Sequence, residues 1–138
     1  MLASQIFKGN QMKFKYTILY VQNVEQSLTF FSKAFGMKRK MLHESGDYGE
    51  LDTGDTILSF SSIELMRSLG KSPANPIADK PTFEIAFETD DVAGALATAI
   101  AAGAKLIQDV EEMPWGQTTA YVSDENGFLM EICTPVGG

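Results

Sequence analysis

The chain has 138 residues, of which 44% are hydrophobic and 21% charged, and its formal net charge is −7 at pH 7. That length fits one domain with a real buried core, of ordinary globular composition. The acidic balance argues against nucleic acid, whose phosphates require a basic face, and no apolar run reaches the length of a membrane span.

From the N-terminus, Met1–Gln11 lacks the continuous apolar stretch of a signal peptide and is expected to form an extension outside the fold. Tyr16 to Gln22 is rich in β-branched and aromatic residues and reads as a strand. Asn23 then caps a helix with Glu25 in its first turn, Leu28, Phe31 and Phe35 at helical spacing, and Gly36 as its stop. Three strands follow, at Met37–Glu44, Tyr48–Thr53 and Thr56–Ser61, separated by turns at Ser45–Gly46–Asp47 and Gly54–Asp55. Residues 63–80 break the pattern: Ile63–Leu69 suits a short helix, and Ser72–Pro73–Ala74–Asn75–Pro76 a loop. The order then repeats. Thr82–Glu88 is a strand, Asp90 or Asp91 caps an alanine-rich helix that stops at Gly103, and Lys105–Glu111 is a strand. Met113–Pro114–Trp115–Gly116 bends the chain, and Gln117–Ser123 and Phe128–Thr134 flank the turn Asp124–Glu125–Asn126–Gly127.

The repeat is visible in the residues themselves. Tyr16–Val24 and Glu84–Val92 both run from an apolar strand into a helix start, and Thr56–Ser61 resembles Phe128–Cys133. Such internal repetition sets architecture before any single residue does. The expected fold is α+β, with tandem βαβββ modules forming curved mixed sheets. Module one spans 12–62, the connector 63–80 and module two 81–138, together one domain over 12–138.

Strand alternation assigns two faces. Thr17, Leu19, Val21, Leu58, Phe60, Ile85, Phe87, Ala120, Val122, Met130 and Ile132 are expected against the helices. Tyr16, Ile18, Tyr20, Tyr48, Glu50, Ser59, Glu84, Ala86, Glu88, Thr119, Tyr121 and Glu131 fall on the other face. That set is polar and aromatic, the composition of a ligand-lined concavity, with a plain solvated sheet face as the alternative.

The stretch Trp115–Gly116–Gln117–Thr118–Thr119–Ala120–Tyr121–Val122–Ser123–Asp124–Glu125–Asn126–Gly127–Phe128–Leu129–Met130–Glu131 resembles the closing hairpin of the vicinal oxygen chelate superfamily. That group includes glyoxalases, bleomycin-resistance proteins, epimerases and ring-cleaving dioxygenases. Leu28–Thr29–Phe30–Phe31 and Phe35–Gly36–Met37 resemble its first helix and glycine stop, and the likeness runs from about Met12 onward. The resemblance implies a homodimer whose sheets close each bowl. It also implies that metal ligands, where relatives use them, would fall at Tyr16, Ser59, Glu84 and Glu131. Here only Glu131 is the residue type common at its position. Tyr16 and Glu84 stand where histidine is common, and Ser59 where glutamate or glutamine is.

Three chemistries follow for this face. As a metal site, two glutamates with a phenol and a hydroxyl form an oxygen-only set suited at best to loosely held magnesium or manganese, so no cofactor is expected and a divalent metal on Glu84 and Glu131 is the weaker alternative. As a catalytic pair, Glu84 and Glu131 could not both ionise easily, so one pKa would rise and offer a general base, but no cation stands ready for a developing oxyanion. As a binding site, Tyr16, Tyr20, Tyr48, Trp115 and Tyr121 offer walls for a flat or cationic ligand, with Ser59, Glu84 and Glu131 as polar anchors. Trp115 also suits a packing role after Pro114.

The favoured expectation is a metal-independent binding or sequestering protein for a small aromatic or cationic compound, in the manner of bleomycin-resistance proteins, an antibiotic included. The alternative is a glyoxalase-type lyase or isomerase using Glu84 and Glu131. Expected partners are the small molecule and a second copy, with no nucleic acid and no membrane. The single cysteine, Cys133, cannot form an internal disulfide, which fits a cytoplasmic location, and it reads as a small buried hydrophobe. The single histidine, His43, is placed on a strand near the rim, without a recognisable partner.

Overall fold

The structure, a computed structural model, describes residues 12–136, so the expected extension at 1–11 lies outside the described residues. The first module is β1 (Tyr16–Val21), α1 (Val24–Phe35), β2 (Lys38–Leu42), β3 (Tyr48–Asp52) and β4 (Ile57–Ser62). A short helix α2 (Ile63–Ser68) opens the connector. The second module is β5 (Glu84–Glu88), α3 (Val92–Ala101), β6 (Lys105–Glu112), β7 (Thr118–Ser123) and β8 (Leu129–Cys133). Each module builds one four-stranded mixed sheet, in the orders β1-β4-β3-β2 and β5-β8-β7-β6. In both, the first strand runs parallel to the last and the other pairs are antiparallel.

Local chemistry sets the helix ends. The Asn23 side chain accepts from Gln26 N at 2.9 Å, satisfying one of the free N–H groups of the first turn of α1. Gly36 ends that helix at φ +71°, and its N–H donates to the Ser32 carbonyl. In the second module Asp91, rather than Asp90, is the cap, accepting from Gly94 N at 3.0 Å.

The core is continuous across both modules. Leu19, Val21, Leu58, Phe60, Ala120, Val122, Met130 and Ile132 are buried as the alternation requires, while Thr17, Ile85 and Phe87 are half-buried. Phe31 is fully buried on α1, with ring centroids 5.1 Å from Phe60 and 6.5 Å from Phe87. Phe35 stacks on Phe87 at 4.4 Å and 17°. Because Phe87 belongs to β5, these rings weld the two modules together, and α1 packs against α3 beside them.

The β7–β8 turn holds the remaining seam. Asp124 accepts from the N–H groups of Asn126, Gly127 and Phe128 at 2.8 to 3.1 Å and shapes the β7–β8 turn. From that turn the Asn126 carboxamide accepts from Gln22 N at 3.3 Å and donates to Ser27 Oγ at 3.4 Å, reaching the start of α1.

One expectation is corrected. The strand predicted over Met37–Glu44 is shorter, and His43 lies in the turn after β2. Its Nδ1 accepts from Ser45 N at 3.1 Å and lies 2.8 Å from Ser45 Oγ, so the ring completes a local turn on the surface rather than standing on a strand.

Candidate functional site

Register places the candidate residues in rows across each sheet. In the first, Ile18, Ser59 and Glu50 stand side by side, with Tyr20, Ser61 and Tyr48 one step along. In the second, Ala86, Glu131 and Tyr121 form the equivalent row, with Glu84 beside Leu129. These side chains all lie on the face away from the helices, because side chains alternate along every strand.

The two sheets differ in what they bring together. In the first, the Tyr48 hydroxyl donates to Glu50 Oε2 at 2.8 Å. Burial pushes the Tyr48 phenol up, Ser59 pulls it down through a hydrogen bond, and Glu50 and Tyr16 add smaller upward pushes. Glu50 therefore belongs to this cluster. The spacing Tyr48-x-Glu50 on one strand, two residues apart and so on one face, was the signal for it. In the second sheet, partial burial holds the Glu84 carboxyl above its ordinary value, the Glu131 charge and a hydrogen bond to Glu131 raise it further, and Tyr121 pulls it down. The Tyr121 hydroxyl lies 3.5 Å from Glu84 Oε2. Burial, then the charges of Glu131 and Glu84, push that phenol up to about 12. The groups acting on Tyr48 all lie in the first sheet and those acting on Glu84 all in the second. The candidate set is thus two half-sites, Tyr16–Tyr48–Glu50–Ser59 and Glu84–Tyr121–Glu131.

Three candidates stand differently from the rest. Ser59 is fully buried although it lies on the open face, because its short side chain sits between the longer Ile18 and Glu50; its Oγ is 3.4 Å from the Thr17 carbonyl. Tyr20 pairs with neither cluster and instead accepts from Lys71 Nζ at 3.2 Å, with the ammonium 5.6 Å from its ring centre. Trp115 is 60% exposed in the β6–β7 bend and donates its indole N–H to Gln117 Oε1 at 2.8 Å, so it is available as a wall and does not anchor the core. Buried Thr119 carries a hydroxyl with no partner among the described residues.

The donor set does not suit a transition metal. Positions 16, 59, 84 and 131 supply a phenol, an enclosed hydroxyl and two carboxylates, with no imidazole or thiolate. Among the described residues no three His, Cys, Asp or Glu side chains converge as a metal would need. Cys133 is buried, and burial together with the charges of Glu131 and Glu88 pushes its thiol up, the opposite of an activated nucleophile.

Comparison with known proteins matches this geometry to a family. A model of the glyoxalase-like domain matches residues 14–137. Among curated proteins, none is similar enough in sequence to match. A glyoxalase-related enzyme from Fulvimarina pelagi superposes with a TM-score of 0.78 at 19% identity, over 91% of this chain and 89% of that one. A glyoxalase/bleomycin resistance protein/dioxygenase family enzyme from Burkholderia phytofirmans PsJN gives 0.74 at 24% identity, over 89% and 98%. TioX from Micromonospora sp. ML1 gives 0.67 at 20%, again over 89% and 98%. These likenesses carry the fold, and with a family match that runs through both modules the chain belongs to the glyoxalase-like domain family.

Proposed function

We propose that this protein binds and sequesters a small basic aromatic compound on its open sheet face, without a metal. The observation that carries this reading is the Glu84–Glu131–Tyr121 cluster, a carboxylate pair beside a phenol. The Glu131 charge helps to hold the Glu84 carboxyl above its ordinary value, and a cationic ligand between the two relieves that repulsion. Exposed Tyr16 and Trp115 supply flat surfaces for stacking, and Tyr48 with Ser59 and Glu50 supplies hydrogen bonds. Antibiotics with a planar cationic part fall within this chemistry.

The working unit in this reading is a homodimer. On the face of the first sheet Tyr16 is 45% exposed on one edge strand and Met41 36% exposed on the other. A second copy laid over that face would bury them and complete each half-site with the other kind. No described helix is long and apolar enough to cross a membrane. A cytoplasmic location is part of the same reading, with Cys133 buried as a free thiol.

The test uses proflavine, a planar cation, with the purified protein. It should raise the Tm and bind in a saturable manner. Glu131→Gln should weaken it about tenfold, by removing a charge-assisted contact. Unchanged affinity in that variant would sink the reading. A second reading, a proton-transferring lyase or isomerase, draws on the raised pKa of Glu84, which suits a general base. It requires turnover that is lost in Glu84→Gln and untouched by chelators.

A further inference from the structure

Away from the acidic half-sites, the connector borders a different kind of space, a pocket open to solvent on one side. After α2 the chain runs back across the end of β1 and the β7–β8 turn before entering β5. It roofs a cavity of about 340 Å³ whose walls include Ile18, Pro76, Phe83, Phe128 and Leu129. That volume is at the small end of the range for small-molecule pockets. No aspartate or glutamate lines it, in a chain of net charge −7. Its one charged lining residue is Lys80, which takes part in no ion pair among the described residues.

The roof is fastened at several points. The Pro76 carbonyl rests against Gly127, where φ is +102° and an added Cβ would clash with that oxygen. Asn75 lies 3.5 Å from the Gln22 side chain. The turn is closed by Lys80 N donating to the Ile77 carbonyl at 3.0 Å. Lys71 donates to Tyr20, which also lines the cavity, and this leaves the phenol's own O–H free to donate.

From the apolar walls, the lone ammonium and the free phenol O–H, we propose that this cavity is a second binding site, taking a small aromatic carboxylate. The ring lies against Phe83, Phe128 and Ile18. The carboxylate pairs with Lys80 and accepts from Tyr20. The charge preference is opposite to that of the open face, so the two sites are separable by ligand sign.

Calorimetric titration of the full-length chain tests this with benzoate, benzylamine and benzyl alcohol. Benzoate should saturate one site per chain, benzyl alcohol should bind more weakly, and benzylamine should not compete for this site. Lys80→Gln should weaken benzoate about threefold to tenfold, as expected for one partly solvated charge contact. Ala74→Trp, which fills the cavity from its exposed roof, should abolish binding while the Tm stays within a few degrees of the parent. Glu131→Gln should leave benzoate affinity unchanged while weakening proflavine, so failure at one site is distinguishable from failure at the other. No saturable heat with benzoate, equal affinity for benzylamine, or an unaltered affinity in Lys80→Gln would each overturn the proposal.

Discussion

The two modules share a topology strand for strand, yet they are stabilised and charged differently. Module one is held by aromatic rings: Phe31 on α1 meets Phe60 of β4, and Phe31 and Phe35 reach across to Phe87. Module two packs a helix of short side chains, with Val92, Leu96 and Ala99 as its buried residues. On the open faces the contrast is electrostatic, since the first sheet pairs Tyr48 with Glu50 and the second places Glu84 beside Glu131. A duplicated scaffold can keep its hydrogen-bonded frame while the two copies specialise, because strand pairing depends on the backbone and the alternating face, and not on which side chain occupies a given outward position.

The packing half of this contrast is the easiest to break. Phe31→Ala should cost about 3–5 kcal/mol in urea unfolding, and Leu96→Ala about 2–3 kcal/mol, since a smaller side chain leaves a smaller void. Equal costs would mean that the modules are held alike. Next in size is a comparison of turn glycines. Gly127→Ala forces a Cβ against Pro76 at φ +102° and should cost about 1–3 kcal/mol. Gly54→Ala, at φ +95° but in open space, should cost only about 1 kcal/mol. Parity between them would detach the connector from the β7–β8 turn.

The electrostatic half yields smaller effects. Glu84 is held above its ordinary 4.5, so the native state grips that proton more tightly than the unfolded chain does. Stability therefore falls as pH rises from 4.5 through the raised native value. Glu84→Gln removes that loss. It should raise the Tm at pH 7, by an amount worth no more than about 0.5 kcal/mol for so exposed a group, and the gain should vanish below the ordinary carboxylate range. Smallest of all is a spectroscopic change: in ultraviolet titration Tyr121 should ionise near 12, and Glu131→Gln should lower that value by removing a neighbouring charge.

Much of the fold was legible because its signals are local. Asn23 and Gly36 bracket α1, Asp91 starts α3, and the Asp124–Gly127 turn closes the last hairpin. Strand alternation also sorted Leu19, Phe60, Val122 and Met130 from Tyr48 and Tyr121. What escaped depends on neighbours distant in sequence. Ser59 is enclosed only because β1 and β3 bring Ile18 and Glu50 to either side of it. Tyr20 is drawn to Lys71, a residue of the connector whose path no periodicity reveals. His43 carried a strand-like context, but its ring bonds into the following turn and the strand ends at Leu42, two residues short of the expected Glu44.

The enclosure of Ser59 bears on the direction in which such a scaffold can drift. A glutamate placed at that position would arrive where solvent cannot follow, with no cation among its strand neighbours Ile18 and Glu50. It would take up a proton in preference to gripping an ion. A coordinating set at this position therefore demands that the flanking side chains be pared back first, so metal chemistry here is not one substitution away.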